Sequence, residues 1–203
     1  MQALLALIVA LALQIAVNYS NDYSDGIRGT DDVRVGPIRL TASGLASAKA
    51  VKRAAFISFA VACVAGLALA ATSSWWILIV GVISVLAAWG YTGGHAPYGY
   101  LGFGELSVFT FFGVVATVGT YYVQTLEFSA AAFAASVSMG SLSCALLAIN
   151  NIRDRAQDAQ VGKKTLAVRL GDENARHFFI ALLALPYIFA PLTGNPLAFL
   201  TLA

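Results

Sequence analysis

"NYSNDYSDGIRGTDD", residues 18–32, places four aspartates, Asp22, Asp25, Asp31 and Asp32, within eleven positions, directly after a run from Met1 to Val17 that carries no charge. The apolar run "MQALLALIVALALQIAVNYS" has no positive n-region and no small-residue cleavage site. It therefore reads as a membrane span rather than a signal peptide. The acids lie at the end of that span, so their charge has to be accommodated at a membrane edge.

The rest of the chain agrees. Of 203 residues 59% are hydrophobic and 11% charged, against about 25% charged in soluble domains, and the mean hydropathy is +0.78. Apolar runs approach the ~20 residues that cross a hydrocarbon core. They fall at about 1–21, 54–72, 75–91, 106–124, 129–150 and 177–193. An all-α polytopic membrane protein with six spans is expected, and the apolar stub Pro196–Ala203 reads as a seventh span cut short. Ten of the 22 Asp, Glu, Lys and Arg lie between Asp22 and Arg53, ten more between Arg153 and Arg176, and only Glu105 and Glu127 lie elsewhere. Four spans separate these two polar islands, so both emerge on one face of the bilayer together with all 12 Lys and Arg. By the positive-inside rule that face is cytoplasmic, the membrane being the plasma (inner) membrane. A net charge of +2 gives no reason to expect nucleic acid. Cys63 and Cys144 sit inside expected spans without metal-ligand spacing and read as core residues.

The second island, "NNIRDRAQDAQVGKKTLAVRLG" (150–171), resembles the first. Each has an Asn followed four residues later by an Asp, Asn21 to Asp25 and Asn150 to Asp154, at an offset of 129 residues, and each runs through Gly into a basic segment. An internal repeat that brings two acidic motifs to one cavity is expected. Asn18, Asn21, Asp22 and Asp25 share one helical face, as do Asn151, Asp154 and Asp158. Carboxylates in that register repel one another and call for a cation. Oxygen ligands without His or Cys favour Mg²⁺, which takes one or two carboxylates and fills its octahedron with water and phosphate oxygens. Arg28, Arg34, Arg39, Arg153, Lys163, Lys164 and Arg169 are suited to phosphate. Lys49, Lys52 and Arg53 read as topogenic charges or lipid headgroup contacts. Together these residues point to a diphosphate held through metal ions.

At these residues the chain resembles the UbiA-type intramembrane prenyltransferases, which carry an NDxxDxxxD-like motif and a second DxxxD motif at two helix ends. The first reads here Asn21, Asp22, Asp25, with Asp31 later than the simple pattern, and the second Asp154 and Asp158. "NDYSDGIRGTDDVRVGPIRL", "NNIRDRAQDAQVGKKTLAVRLG" and "YTGGHAPYGYLGFGE" (91–105) are similar to the branch of 1,4-dihydroxy-2-naphthoate polyprenyltransferases of menaquinone synthesis. Relatives acting on other aromatic acceptors carry Tyr-x-x-x-Lys, whereas here Tyr91 is followed by His95. The resemblance implies a bundle of nine helices, about six to seven of them present, in one prenyltransferase domain over 1–203, apparently incomplete at both ends, with its acidic motifs at 18–32 and 150–165. It further implies Mg²⁺-dependent transfer from a polyprenyl diphosphate to 1,4-dihydroxy-2-naphthoate with loss of CO₂, giving a demethylmenaquinone.

On that reading Asn21, Asp22, Asp25, Asp31, Asp154 and Asp158 are the metal-site residues, with Asp22, Asp25, Asp154 and Asp158 catalytic. Asn18, Arg28, Arg34, Tyr91, His95, Arg153, Lys163 and Lys164 contact substrate. Asp22 is a candidate for removing a naphthol proton, metal support being the alternative, and His95 a candidate acid, base or acceptor contact. Tyr23, Tyr91, Tyr98 and Tyr100 have ring faces suited to an allylic cation, or form an interfacial belt. Three alternatives stay open: a hydroxybenzoate acceptor; a CDP-alcohol phosphotransferase, whose signature begins like "DYSDG" but continues with a missing Ala-Arg; and a transporter, whose acids belong near the bilayer midplane rather than at helix ends.

Overall fold

The computed structural model describes residues 1–30, 36–94 and 96–194, and every regular element among them is helical. Asp31, Arg34, His95 and the stub Pro196–Ala203 lie outside the described residues. The elements are α1 (Gln2–Arg28), α2 (Ala48–Thr72), α3 (Ile77–Gly90), a 3₁₀ turn (Tyr98–Leu101), α4 (Gly104–Val108) running through a π-helical stretch (Phe109–Val115) into α5 (Ala116–Thr125), α6 (Ala130–Gln160), α7 (Leu166–Phe189) and a last 3₁₀ turn (Ala190–Thr193). Five stretches are long and apolar enough to cross a bilayer: Gln2–Arg28, Ala48–Thr72, Gly104–Thr125, Ala130–Gln160 and Leu166–Thr193. The chain is a multi-pass, all-helical membrane protein.

Most spans start or end several residues away from the sequence reading: α1 runs on to Arg28 and α2 begins at Ala48, six residues before the expected 54. α3 has only 14 residues, about 21 Å at 1.5 Å per residue. α6 continues ten residues past the expected end at 150, to Gln160, because the polar run 151–160 holds neither Gly nor Pro to stop it. α7 begins at Leu166, eleven residues before the expected start at 177, but Gly171 (φ 78°, ψ 173°) breaks its first turns from the apolar body.

The contacts divide the chain into two compact units, Met1–Leu101 with Gln157–Lys163, and Gly102–Ala156 with Lys164 onward. In the first, α1 packs along α2 in antiparallel fashion, Gln2 Nε2 donating to the Thr72 carbonyl at 3.2 Å. α1 buries Ala12, Ala16, Ser20 and Ser24 at four-residue spacing against a stripe of Val51, Ala55, Phe59, Ala62, Ala65 and Leu69 on α2. Small residues let the backbones approach, which is how helices gain van der Waals contact in lipid, where both solvent and side chain are apolar. In the second unit Cys144, Ala145, Ala148 and Leu182 form a core with Val108, Phe109, Phe178 and Phe179, and Gly113 meets Gly140 so closely that a Cβ on Gly113 would stand 2.6 Å from the Gly140 Cα.

The link between α1 and α2 is held by Asp22. Both of its oxygens accept backbone N–H groups, Oδ2 from Leu40 and Oδ1 from Thr41, each at 2.8 Å. Two charge-assisted bonds in a buried setting are among the stronger hydrogen bonds available. The loop then comes so near α1 that a Cβ on Gly26 would lie 2.5 Å from Thr41 Cβ and Cγ2, and Ser47 caps α2 by accepting from Ala50 N–H at 3.3 Å. Gly26→Ala is therefore expected to lower the thermal midpoint in detergent, by about 2–4 °C per kcal/mol of an overpacking cost of about 1–3 kcal/mol. Adding Thr41→Gly, which removes the struck atoms, should recover most of the loss; an unchanged midpoint for Gly26→Ala alone would show that the loop is not clamped in this way.

Candidate active site

The end of α1 collects the polar residues of the first unit. Gly29 takes the left-handed conformation (φ 70°) that stops the helix, and Thr30 N–H closes the cap on the Asp25 carbonyl at 3.2 Å. α6 ends in the same way: Gly162 has φ 77° and Lys163 N–H bonds the Asp158 carbonyl at 2.8 Å. The two helix ends therefore correspond at an offset of 133 residues, from 25 to 158 and from 29 to 162, one turn away from the 129 of the sequence comparison. Asp25 is matched by Asp158, and Asp154 lies a turn earlier.

Asp25 is 5% exposed and sits where the helix dipole is negative, an unfavourable place for an acid. Three groups answer it. Tyr100 donates its hydroxyl to Oδ1, Lys163 Nζ lies 3.4 Å from Oδ2, and the Lys163 and Arg28 cations lie 4.6 and 5.5 Å over the Tyr100 ring. Burial, and next the negative charge of Asp25, push the Tyr100 phenol well above its ordinary range. It stays protonated and remains a donor. Thr30 Oγ1 bonds the Asp25 carbonyl at 3.2 Å and lies 3.4 Å from the Tyr100 oxygen.

Neighbouring polar residues hold the stretch after α3. Arg28 donates Nη1 to the Thr92 carbonyl at 2.5 Å and Nη2 to the Gly94 carbonyl, and Thr92 Oγ1 donates to Asn21 Oδ1 at 2.7 Å. Tyr91 and Tyr98 meet edge to face at 5.5 Å, and Gly99 N–H bonds the Tyr91 carbonyl, an approach at which a Cβ would be 2.7 Å from that oxygen. Asp22 spends both oxygens on the α1–α2 loop, as described. Asn18 is exposed and donates to Gln14 of its own helix, so it stands apart from the cluster. Tyr23 instead faces Lys52, 5.2 Å over its ring.

In the second unit Asp154 is paired bidentately with its neighbour Arg153, at 2.6 and 2.7 Å. Asn151 donates to Glu105 Oε1 at 2.9 Å. Lys164 is exposed and its carbonyl accepts Arg169 Nε at 3.2 Å. Tyr100, singled out in the sequence only for its ring, and Glu105, not singled out at all, are the functional candidates that sequence reasoning missed. Glu105 had a signal, as one of two charges outside the islands.

Among the described residues no three His, Cys, Asp or Glu gather as a metal cluster. The chemistry of the donor set nevertheless fits a hard divalent cation. Asp25 and Asp158 are buried oxygen donors in one unit, two carboxylates being what Mg²⁺ usually takes from protein, and the Lys163 ammonium shows that Asp25 accepts a cation at that spot.

Residues 1–203 match the UbiA prenyltransferase family throughout. The chain is 51% identical over 209 residues to the 1,4-dihydroxy-2-naphthoate octaprenyltransferase of Mycobacterium tuberculosis, covering 97% of this chain and 72% of that protein. It is 54% identical to the protein of the same name from Mycobacterium leprae (90% and 62%) and 42% identical to that of Escherichia coli (89% and 61%). It thus spans about three fifths to seven tenths of these relatives' length. No solved structure matches it. A polytopic helical chain with acidic motifs at two capped helix ends, matched by the family model over residues 1–203, belongs to the UbiA prenyltransferase family.

Proposed function

We propose that residues 1–203 work as one prenyltransferase domain that moves a polyprenyl group from its diphosphate to 1,4-dihydroxy-2-naphthoate, in the plasma (inner) membrane with both acidic motifs facing the cytoplasm. The observation that carries this is the buried Asp25 with Lys163 and Arg28 gathered over Tyr100, supported by the naphthoate named in the relatives above. In the reaction the allylic C–O bond breaks, its electrons leaving with the diphosphate. A C–C bond forms at the ring carbon bearing the carboxylate, and CO₂ departs, leaving its electron pair to the ring. The product is at the quinol level of a demethylmenaquinone.

Divalent-metal dependence is general in the family, and Mg²⁺ held by Asp25 and Asp158, with Asn21 and Asp154 nearby in sequence, would draw charge from the leaving diphosphate. Lys163 supplies a donor to the same oxygens, and Arg28, whose Nη1 and Nη2 hold the Thr92 and Gly94 carbonyls, adds its positive charge beside them. Lys163 can exchange its contact with Asp25 for one with phosphate, because a lysine head on a four-carbon stem reorients readily. Tyr100 keeps Asp25 oriented throughout, its phenol remaining a donor. Apolar helices keep water from the allylic cation. The two oxygens of Asp22 hold the 40–41 backbone, which favours a supporting role over proton abstraction. Asp31, Arg34 and His95 complete the candidate set by sequence alone, with Tyr91, Arg153 and Lys164 as further substrate contacts.

Membranes containing the chain, given a polyprenyl diphosphate, Mg²⁺ and either dihydroxynaphthoate or 4-hydroxybenzoate, should yield prenylated product with the naphthoate alone, followed by mass spectrometry. Asp25→Asn and Asp154→Asn should each lower the rate at least a hundredfold, and chelation of Mg²⁺ should abolish it. Product from hydroxybenzoate alone would reassign the acceptor; product from neither would reject the reading. Tyr100→Phe removes one hydrogen bond worth about 1 kcal/mol, so a rate loss of about fivefold is expected. Lys163→Ala should raise KM for the polyprenyl diphosphate about tenfold or more, since bonds to charged groups are worth about 1.5–3 kcal/mol, while KM for the naphthoate stays put. Equal changes in both would remove Lys163 from the diphosphate site.

A further inference from the structure

Glu105 opens α4 in the second unit, and the reaction proposed above makes no use of it. It is 6% exposed, although Gly104 and Leu106 beside it carry no polar side chain and the helix it opens is long and apolar enough to span a bilayer. A carboxyl group in such surroundings is costly unless its oxygens are satisfied. Among the described residues only one is: Oε1 accepts Asn151 Nδ2 at 2.9 Å, while Oε2 is buried with no partner. The bond to Asn151 is thus the one side-chain hydrogen bond that offsets the burial of this carboxyl among the described residues.

That bond ends on the second acidic motif. Asn151 is three residues before Asp154 on α6, one turn away on the same face. Two further contacts follow the same seam: Cys144 Sγ meets the Glu105 carbonyl at 3.1 Å, and Gly113 rests on Gly140. The glycine contact sets how close the helices come, but two glycines have no side chain with which to resist rotation. The Glu105–Asn151 bond is the directional element of the seam, and it acts at the end that carries Asp154. One of these points, Gly113, lies within the π-helical stretch Phe109–Val115, a kind of wider turn that is frequent at functional sites.

We infer that Glu105 is a positioning residue for the diphosphate end of the reaction: by holding Asn151 it fixes the rotation of α6 that presents Asp154. This rests on the prenyl-transfer reading, so the test includes a readout that needs no turnover. Wild type, Glu105→Gln, Glu105→Leu, Asn151→Leu and the double Leu variant are compared in KM for polyprenyl diphosphate, KM for naphthoate, and the rise in thermal midpoint caused by magnesium pyrophosphate.

Glu105→Gln keeps the accepting oxygen and should stay within about twofold of wild type. Glu105→Leu and Asn151→Leu should each raise KM for the diphosphate roughly tenfold, as loss of one buried bond predicts, leave KM for the naphthoate unchanged, and abolish most of the pyrophosphate-induced rise. The double variant should be no worse than either single one, because both remove the same interaction. Asn151 is only half-buried, so its variant reports on the bond even where Glu105→Leu fails to fold. The inference is overturned if Glu105→Gln is as impaired as Glu105→Leu, if both KM values rise together, or if Asn151→Leu keeps the full pyrophosphate effect. Absence of product from wild type would count against the proposed function alone, and the pyrophosphate comparison would still decide the role of Glu105.

Discussion

A carboxylate at the C-terminal end of an apolar helix is doubly disfavoured, by burial and by the negative end of the helix dipole, and the first unit is organised around relieving it. Asp25 is in that position on α1. Lys163 relieves it and serves α6 as well, because its backbone N–H caps that helix on the Asp158 carbonyl while its ammonium reaches Asp25. The cap of one acidic helix thus delivers the counter-charge of the other. Removing one partner of such a buried pair costs about 3–5 kcal/mol, so the pairing is also what keeps the two helix ends together in that unit.

The rest of the first motif works as a set of tethers. Asp22 holds the backbone at Leu40 and Thr41, Asn21 holds Thr92, and Arg28 holds the carbonyls of Thr92 and Gly94. Asp22 and Arg28 satisfy backbone groups of loops, which would otherwise lie unpaired at a membrane edge, and Asn21 fixes the Thr92 hydroxyl beside them. Residues that look like a single catalytic motif therefore divide into those that shape the connections, Asn21 and Asp22, and those left facing cations, Asp25 with Tyr100 and Lys163. Loop anchoring and the buried acid with its counter-charges share one short stretch of helix at this end of α1.

The helices and the acidic register on α1 and α6 were legible because apolar runs and three- to four-residue spacing are local properties. Helix ends were less so. The polar tail of α6 has no stop signal before Gly162, and the start of α7 is hidden by a break at Gly171 that composition does not register. The contacts that decide the site were out of reach because they join distant residues: Asp25 meets Lys163 across 138 positions, Arg28 meets Thr92 across 64 and Glu105 meets Asn151 across 46. The same limit explains the repeat offset. Matching letters paired Asp25 with Asp154, whereas the shared cap geometry pairs it with Asp158.

α3, with its 14 residues, is about 9 Å shorter than a hydrocarbon core of about 30 Å. Hydrophobic mismatch of that size is met by thinning of the bilayer beside the helix or by flanking side chains that reach for the interface, and Trp75 and Trp76, both exposed, are suited to the latter at its start. With α3 crossing the bilayer, the polar stretch that follows it, tied by Arg28 and Asn21 to the end of α1, would be drawn toward the lipid rather than lifted above it. Membrane thickness would then be a mechanical variable: a thicker bilayer would pull on the segment to which the acidic end of α1 is fastened.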